Sequence, residues 1–451
     1  MQISLDFLAL SYYDISDIQR KARNQLVDFQ SFLCMLLIFL ELRGKLMKKN
    51  LIPFVLSTLA AVTVLASCNG GNGSGLKKLY VSTYNNADPN MSNLWKPGYD
   101  ANAENFGFES HWDDAANDDN KGLQNFKAAV TSNSYDAYAL NLVSQTNGAN
   151  YLNEIKKVNV PVVFWNRELA KSNGDIDVDL MKSYANAYYV GIESAEGGRY
   201  EGRAIAEHIL KNGGITKFDR NSDGKVGVYV VKGEDGHADA EARCVWAPIY
   251  LDAFLAGMTT DAEIMEAYKP TGNLTGVNVP GVTFKKIEII GCQTAKNTAG
   301  ATWDPNTAAT QVNNVLTGDN GTKVDVVLSN NDGMAVQIAK SKTFIDSKAL
   351  IAGIDALPDA ISQLKTNGSQ YVASIRNDGK LQSKVVLQAL KNMIDGKEIT
   401  ADMDKIDEFD KVVTTKAEWL ADANSLWFDS EHKAFRVHHV ILTPSNVNEL
   451  A

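Results

Sequence analysis

The chain has 451 residues, 45% of them hydrophobic and 22% charged, with a formal net charge of −10. This is the balance of a soluble globular protein of about two domains. It excludes collagenous and low-complexity classes, and an acidic surface repels nucleic acid rather than binding it. The four cysteines, Cys34, Cys68, Cys244 and Cys292, have neither metal-like spacing nor an arguable disulfide framework.

The front end reads as an export signal with extra sequence ahead of it. Met47-Lys48-Lys49 gives a charged start, 51–66 an apolar stretch, and Leu65-Ala66-Ser67-Cys68 the small residues of a cleavage point. The apolar run at 32–40 is too short to span a membrane. Residues 1–46 are therefore expected to be an upstream extension that is not translated, and 47–67 a signal peptide. The LASC sequence resembles a bacterial lipobox, which implies a diacylglycerol on Cys68 and a membrane-anchored protein outside the cytoplasm. A buried core cysteine is the alternative. Residues 68–76, containing NGGNGSG, would be a flexible tether.

From Lys77 onward, short β-branched runs alternate with longer amphipathic ones. Strands are expected over 78–83, 137–143, 160–165, 226–232, 285–290, 324–329, 349–354 and 371–375. Helical patterns fall between them, at 121–131, 151–158, 198–211, 240–254, 308–316 and 381–396. Such alternation predicts an α/β fold of two doubly wound parallel sheets.

Polar residues recur just past the strands: Asp88, Asn141, Asn166, His237 with Asp239, Asn331, Asp355 and Asn377. One such residue is usually a turn former or helix cap. Seven sites together point to a crevice, because the carboxyl ends of parallel strands converge on a ligand. The richest of them is Gly233-Glu234-Asp235-Gly236-His237-Ala238-Asp239-Ala240-Glu241-Ala242-Arg243, where a strand meets a helix. Asp accepts, Arg donates and His can do either, which suits the hydroxyls of a neutral polyol. A capped helix with a surface salt bridge remains the plain alternative. Trp303, in the polar loop Ala301-Thr302-Trp303-Asp304-Pro305, is either core or a stacking platform for a sugar ring.

The segments GEDGHADAEAR (233–243), YVGIES (189–194), NVPVVFWNRE (159–168), LNLV (140–143), VDVVLSNNDGMA (324–335), AGIDALPDA (352–360) and ASIRND (373–378) resemble the bacterial galactose/glucose-binding proteins. The likeness runs in register from about Lys77 to the C-terminus, with longer segments at 269–297 and 397–427. It implies a monomeric sugar receptor of the type I periplasmic-binding fold. Such a receptor delivers D-glucose or D-galactose to an ABC permease and, in some members, to a chemoreceptor. The lobes would be 77–189 with 376–433, and 190–375 with 434–451, hinged near Tyr189, Asn377 and Phe435. The implied sugar contacts are Asp88, Asn90, Asn141, His237, Asp239, Arg243, Trp303, Asn331, Asp355 and Asn377. Asn90 stands where the family has an aromatic that sandwiches the sugar against the tryptophan, and Trp95 is a candidate to replace it.

The run Asp219-Arg220-Asn221-Ser222-Asp223-Gly224-Lys225 has the spacing of the first half of an EF-hand loop. The resemblance implies a Ca²⁺ ion held by Asp219, Asn221, Asp223, the Lys225 carbonyl and the distant Asp325. Gly227 supplies no side chain where the family has a ligand, and a metal-free Asp/Asn-rich turn is the alternative. An enzyme is a rival reading, with His237, Asp239 and Glu241 as acid/base groups or Asp88 and Asp355 as a glycosidase pair. A surface receptor for a different small ligand is another. A sugar-responsive repressor is disfavoured, since no helix-turn-helix and no other nucleic-acid motif is present.

Overall fold

A computed structural model describes residues 75–406 and 408–450. The expected upstream extension, the signal peptide and Cys68 lie outside them. The chain first builds a parallel sheet from β1 (Lys77–Thr83), β2 (Phe108–Asp114), β3 (Ala137–Leu140), β4 (Val162–Trp165) and β5 (Ala187–Gly191). It then crosses to a second lobe, which opens with α1 (Ser194–Lys211). Next come β6 (Val226–Lys232), α2 (Ala238–Leu255), β7 (Ile287–Thr294), β8 (Val326–Ser329), β9 (Leu350–Ile354) and β10 (Tyr371–Arg376). These strands make a second parallel sheet.

The chain returns through Asn377 to α3 (Gly379–Ile394), whose side chain cap is Asp378. It then adds β11 (Lys411–Val413), β12 (Ser425–Asp429) and β13 (Ala434–Arg436) to the first sheet. A third crossing ends in β14 (Val440–Leu442), antiparallel to β10. The strand orders are β11-β12-β13-β5-β4-β3-β1-β2 and β14-β10-β9-β8-β6-β7. All seven residues of β6, Val-Gly-Val-Tyr-Val-Val-Lys, are buried. A strand covered on both faces by helices reads as a continuous apolar run instead of an alternating one.

Several elements differ from expectation. Ala434–Arg436 were expected in the second lobe but pair with Tyr189–Gly191 in the first, so the third crossing falls at 437–439 and not at Phe435. The apolar ring of Phe435 is buried in the first lobe's core and carries the strand there. β7 begins at Ile287, not at 285, because the buried Asp252 takes the N–H groups of Lys285, Lys286 and Ile287 before the ladder starts. β2, β5 and β11 to β14 had no expectation. Most are short or carry charged residues that mask the strand pattern.

One contact between helices sets the position of the future site. α1 and α2 approach so closely that a Cβ on Gly198 would lie 2.8 Å from the Arg243 Cα, and one on Gly202 would lie 2.1 Å from the Ala247 carbonyl oxygen. Only glycines four residues apart on α1 allow α2, and with it Arg243, to sit there. Gly202→Ala should therefore overpack the pair and cost roughly 1–3 kcal/mol, read as a lower urea midpoint of the ligand-free protein. An unchanged midpoint would show that the helices can separate freely.

Candidate ligand-binding cleft

The loops at the carboxyl ends of both sheets face one another, as open parallel sheets require of a ligand site. They enclose a narrow cleft of about 40 Å³. Of the ten residues implied as sugar contacts, nine line it: Asp88, Asn90, His237, Asp239, Arg243, Trp303, Asn331, Asp355 and Asn377. Asn141 does not. It is buried beneath, its Nδ2 directed 3.3 Å to the sulfur of Met91.

Three lining residues were absent from the expected contacts: Tyr84, Asn166 and Arg167. Asn166 was among the polar residues past strand ends, and Arg167 sits beside it in the quoted Asn166-Arg167-Glu168 run. Tyr84 directly follows β1, a position that could have suggested it. The Arg167 guanidinium lies 3.9 Å over the Tyr84 ring. Trp95, the candidate replacement for the missing aromatic, is fully buried against Trp165, with ring centroids 4.6 Å apart. It is core, and Tyr84 is the aromatic that the first lobe brings to the cleft.

On the other side, α2 begins at Ala238 with His237 as its cap, and Nδ1 accepts the Asp239 N–H at 3.2 Å. Burial first, then Arg167, hold the His237 ring down to about 4. It is therefore neutral near pH 7, with Nδ1 as acceptor and Nε2–H as donor. Burial pushes the Asp239 carboxyl up, but Arg243 and His237 outweigh it and hold it below its ordinary value. Arg243 donates to the Asn330 carbonyl at 2.8 Å and lies 4.0 Å from Asp239. Its buried Nε has no protein partner, nor has the buried Oδ1 of Asn90. Burial pushes the Asp355 carboxyl well up, against the pull of Arg243.

Trp303 is held by its backbone N–H on the Gly233 carbonyl, 3.0 Å, and by its indole N–H on Glu234, 2.9 Å. Its ring meets His237 edge-on at 5.3 Å. Asn166, Trp303 and Asp355 have φ of 61°, 60° and 121°. Non-glycine residues with positive φ are uncommon, and their gathering at one cleft is the pattern of a functional site. Two contacts span the lobes directly. Ala238 N–H donates to Gln145 at 3.2 Å, and Arg167 lies 3.8 Å from Glu234.

The periplasmic binding protein domain model matches residues 79–398. The chain belongs to the periplasmic binding protein family. It is 29% identical, over 349 residues, to the D-galactose/methyl-galactoside binding periplasmic protein MglB of Haemophilus influenzae, covering 77% of this chain and 90% of that one. Among solved structures it is similar to an ABC transporter periplasmic solute binding protein from Actinobacillus succinogenes with bound D-allose (TM-score 0.57, 15% identity, 82% and 99% coverage). It is also similar to one from Bacillus halodurans with bound myo-inositol (0.56, 20%, 84% and 98%). GanP, a glucose-galactose binding protein from Geobacillus stearothermophilus, matches at 0.53 and 14% identity over 82% and 98%. Two parallel-sheet lobes of this kind are the type I fold of that family. Among the described residues, no helix is long and apolar enough to cross a membrane.

The residues expected to hold calcium in this periplasmic binding protein are engaged in hydrogen bonds of the protein itself. Asp219 accepts the N–H groups of Asp223 and Gly224, and Asp223 those of Lys225 and the Asn221 side chain. Asp325 spends one oxygen on the Arg220 N–H at 3.0 Å and the other on the Gly227 N–H at 2.8 Å. Among the described residues, no three His, Cys, Asp or Glu side chains converge to hold a metal, whereas calcium needs about six to eight oxygens. The set as arranged does not fit the ion, and the loop is tied by protein hydrogen bonds instead. Melting temperatures in excess calcium and in excess chelator should agree, and a higher value in calcium would restore the metal.

The neutral His237 has a stability consequence. An unfolded chain takes up a proton near the ordinary histidine value of 6.5, while the folded site resists until about 4. Stability should therefore fall as pH drops through that window, by about 3 kcal/mol in total for this group, and the loss should level off below it. His237→Asn should flatten that part of the pH–stability curve. An equally steep curve in the variant would show that the ring protonates freely in the folded state.

Proposed function

We propose that the chain captures a neutral hexose, D-glucose or D-galactose, between its lobes and delivers it to an ABC sugar importer without chemical turnover. The observation that carries this reading is the cleft itself. It offers carboxyl acceptors (Asp239, Asp355), a fixed donor (Arg243), groups of both kinds (His237, Asn331, Asn377) and two aromatic rings from opposite lobes (Tyr84, Trp303). A polyol ring presents the complementary set, with hydroxyls around the rim and C–H groups on its faces. The ligands of the similar proteins, galactose, allose and inositol, are all of this class.

The enzymatic rival loses one of its groups. Glu241 is engaged by the Lys232 ammonium, 3.1 Å from each oxygen, and by the Gly236 N–H. A different polyol in the same cleft is the second reading. The covered Tyr84 ring favours it, since its guanidinium blanket differs from an open stacking face. We further propose a monomer anchored by a lipid on Cys68, with presentation to a chemoreceptor as a secondary role. Labelled palmitate should enter the parent and not a Cys68→Ala variant.

Calorimetry with a panel of hexoses and inositols on ligand-free protein should give saturable binding and unchanged sugar afterwards. A charge-assisted hydrogen bond contributes about 1.5–3 kcal/mol, so Asp239→Ala should weaken binding at least ~10-fold. Trp303→Ala should cost more affinity than Asn90→Ala. No heat with any member of the panel, on protein verified as folded, would end the sugar reading.

A further inference from the structure

The cleft does not end at its two aromatic rings. Tyr84, Asp88, Asn90, Arg167, Trp303 and Asp355 line both the inner cleft and a second chamber of about 200 Å³. The first lobe adds Asn85 and Asn117 to that chamber, and the second adds Thr302 and Gly333. Ala87, Pro89 and Asn117 are exposed, which places it nearer the surface. Pro89, Pro305, Gly333 and Leu357 are shared in turn with a third hollow of about 360 Å³, bordered by the exposed Asn93, Lys340 and Asp359. The three spaces follow one another from the buried His237 loop to the surface. Both lobes wall each of them.

Resting on the sugar reading above, we propose that the ligand is a disaccharide, with its terminal hexose in the inner cleft and its second ring in the outer chamber. The inner cleft, about 40 Å³, takes no more than one ring. The outer chamber repeats the chemistry of a sugar site. The amides of Asn85 and Asn117 both donate and accept, as the hydroxyls of a second ring do. The Thr302 hydroxyl donates to Glu234 at 3.3 Å and keeps its oxygen as an acceptor. Arg167 adds a fixed donor, and the rings of Tyr84 and Trp303 border both spaces.

The chamber is built before any ligand enters. Asn117 is held there with φ of 61°, its N–H donating to the Tyr84 carbonyl at 2.6 Å. Sites fixed in advance lose less freedom on binding. Asn90 keeps the passage between the two spaces open, because its short side chain stands where they join. Its buried Oδ1 has no partner among the described residues, and a hydroxyl beside the glycosidic link can supply the missing donor. The third hollow has a more apolar wall, with Val336, Leu357, Pro89, Pro305 and Pro358. Hydroxyl recognition therefore ends after two rings.

The test is calorimetry on the ligand-free full chain, comparing D-glucose and D-galactose with maltose, cellobiose, lactose and melibiose. We expect at least one disaccharide to bind ten times or more tighter than its own non-reducing hexose. Gly333→Trp then separates the two spaces, since Gly333 lines the outer chamber and the third hollow but not the inner cleft. It lies in the first turn of the helix Asp332–Ala339, where an added Cβ meets the Asn331 side chain first, in ordinary contact at 3.7 Å. This variant should lose at least tenfold of the disaccharide affinity and hold the hexose affinity within twofold. Gly333→Ala should hold both. Hexoses that bind while every disaccharide binds no tighter would overturn this inference and leave the sugar reading standing. Silence of the whole panel would end both. Equal losses for hexose and disaccharide in Gly333→Trp, or no loss of either, would overturn the placement of the second ring. If that variant does not fold, the comparison of hexose with disaccharide on the parent decides alone.

Discussion

Two sheets that face each other across a cleft need three chain crossings in register, and one buried carboxylate fastens two of them. Glu196, fully buried at the start of α1 just past the first crossing, accepts His438 Nδ1–H at 2.7 Å on one oxygen. Its other oxygen accepts the backbone N–H of His439 at 2.8 Å and the ring Nδ1–H at 2.9 Å. Burial would raise this carboxyl, but the bonds from the two histidines of the third crossing win and hold it at about 2. A buried charge survives only when its oxygens are so completely paired. The longer segment at 397–427 joins the same clamp. Trp419 stacks on the His438 ring at 3.9 Å and takes its other nitrogen on the backbone carbonyl, while Lys416 reaches Glu193 at 3.2 Å. The insertion is thus a brace of the hinge as well as an extension of a sheet.

The clamp leads into the cleft through one glycine. A Cβ on Gly197 would sit 3.2 Å from His439 Nε2 and 3.4 Å from Arg243 Nε. The hinge histidine and the site arginine are therefore near neighbours with nothing but backbone between them. Arg243 is set by this contact, by the Gly198 and Gly202 approach and by Asn330. Its unpartnered Nε leaves a donor with desolvation already spent and no protein acceptor. A buried, unmatched polar group costs free energy, and so do the positive φ values of Asn166, Trp303 and Asp355. Both kinds of cost lie at the cleft, where a ligand that supplies hydroxyls can offset the first.

Much of this was legible from the residues because parallel strands leave a plain signature. The run at 226–232 could only be a strand covered on both faces, and the loop after it could only leave from its carboxyl end. Polar residues in equivalent places on β8, β9 and β10 then had to meet it, as Asn331, Asp355 and Asn377 do. What stayed hidden was decided by tertiary contacts. β5 carries two tyrosines in five residues and reads ambiguously, and β2 shows six partly or fully exposed residues out of seven, so neither advertises a covered strand. The calcium motif was legible as a turn. Whether its acidic side chains meet depends on Asp325, which comes from a distant strand and is bound by two peptide N–H groups.

Asn141 and Tyr84 show where strand-end reasoning stops. Both directly follow strands that are neighbours in the first sheet, β3 and β1. Asn141 has the chemistry of a sugar contact, yet Met91 sits across its amide and the residue is sealed below the cleft. Tyr84 is buried too, but at the wall of the cleft. It lines the cleft and receives the guanidinium of Arg167, which itself donates to the Val143 carbonyl just past β3. The loop after β3 thus acts by positioning the arginine and not by touching the cleft. Its role passes through Val143 to Arg167 and from there to Tyr84 and, across the lobes, to Glu234 and Trp303. The aromatic faces that border the cleft from opposite sides are joined by one guanidinium and one carboxylate, so the same two charged groups that bridge the lobes also set the separation of the rings.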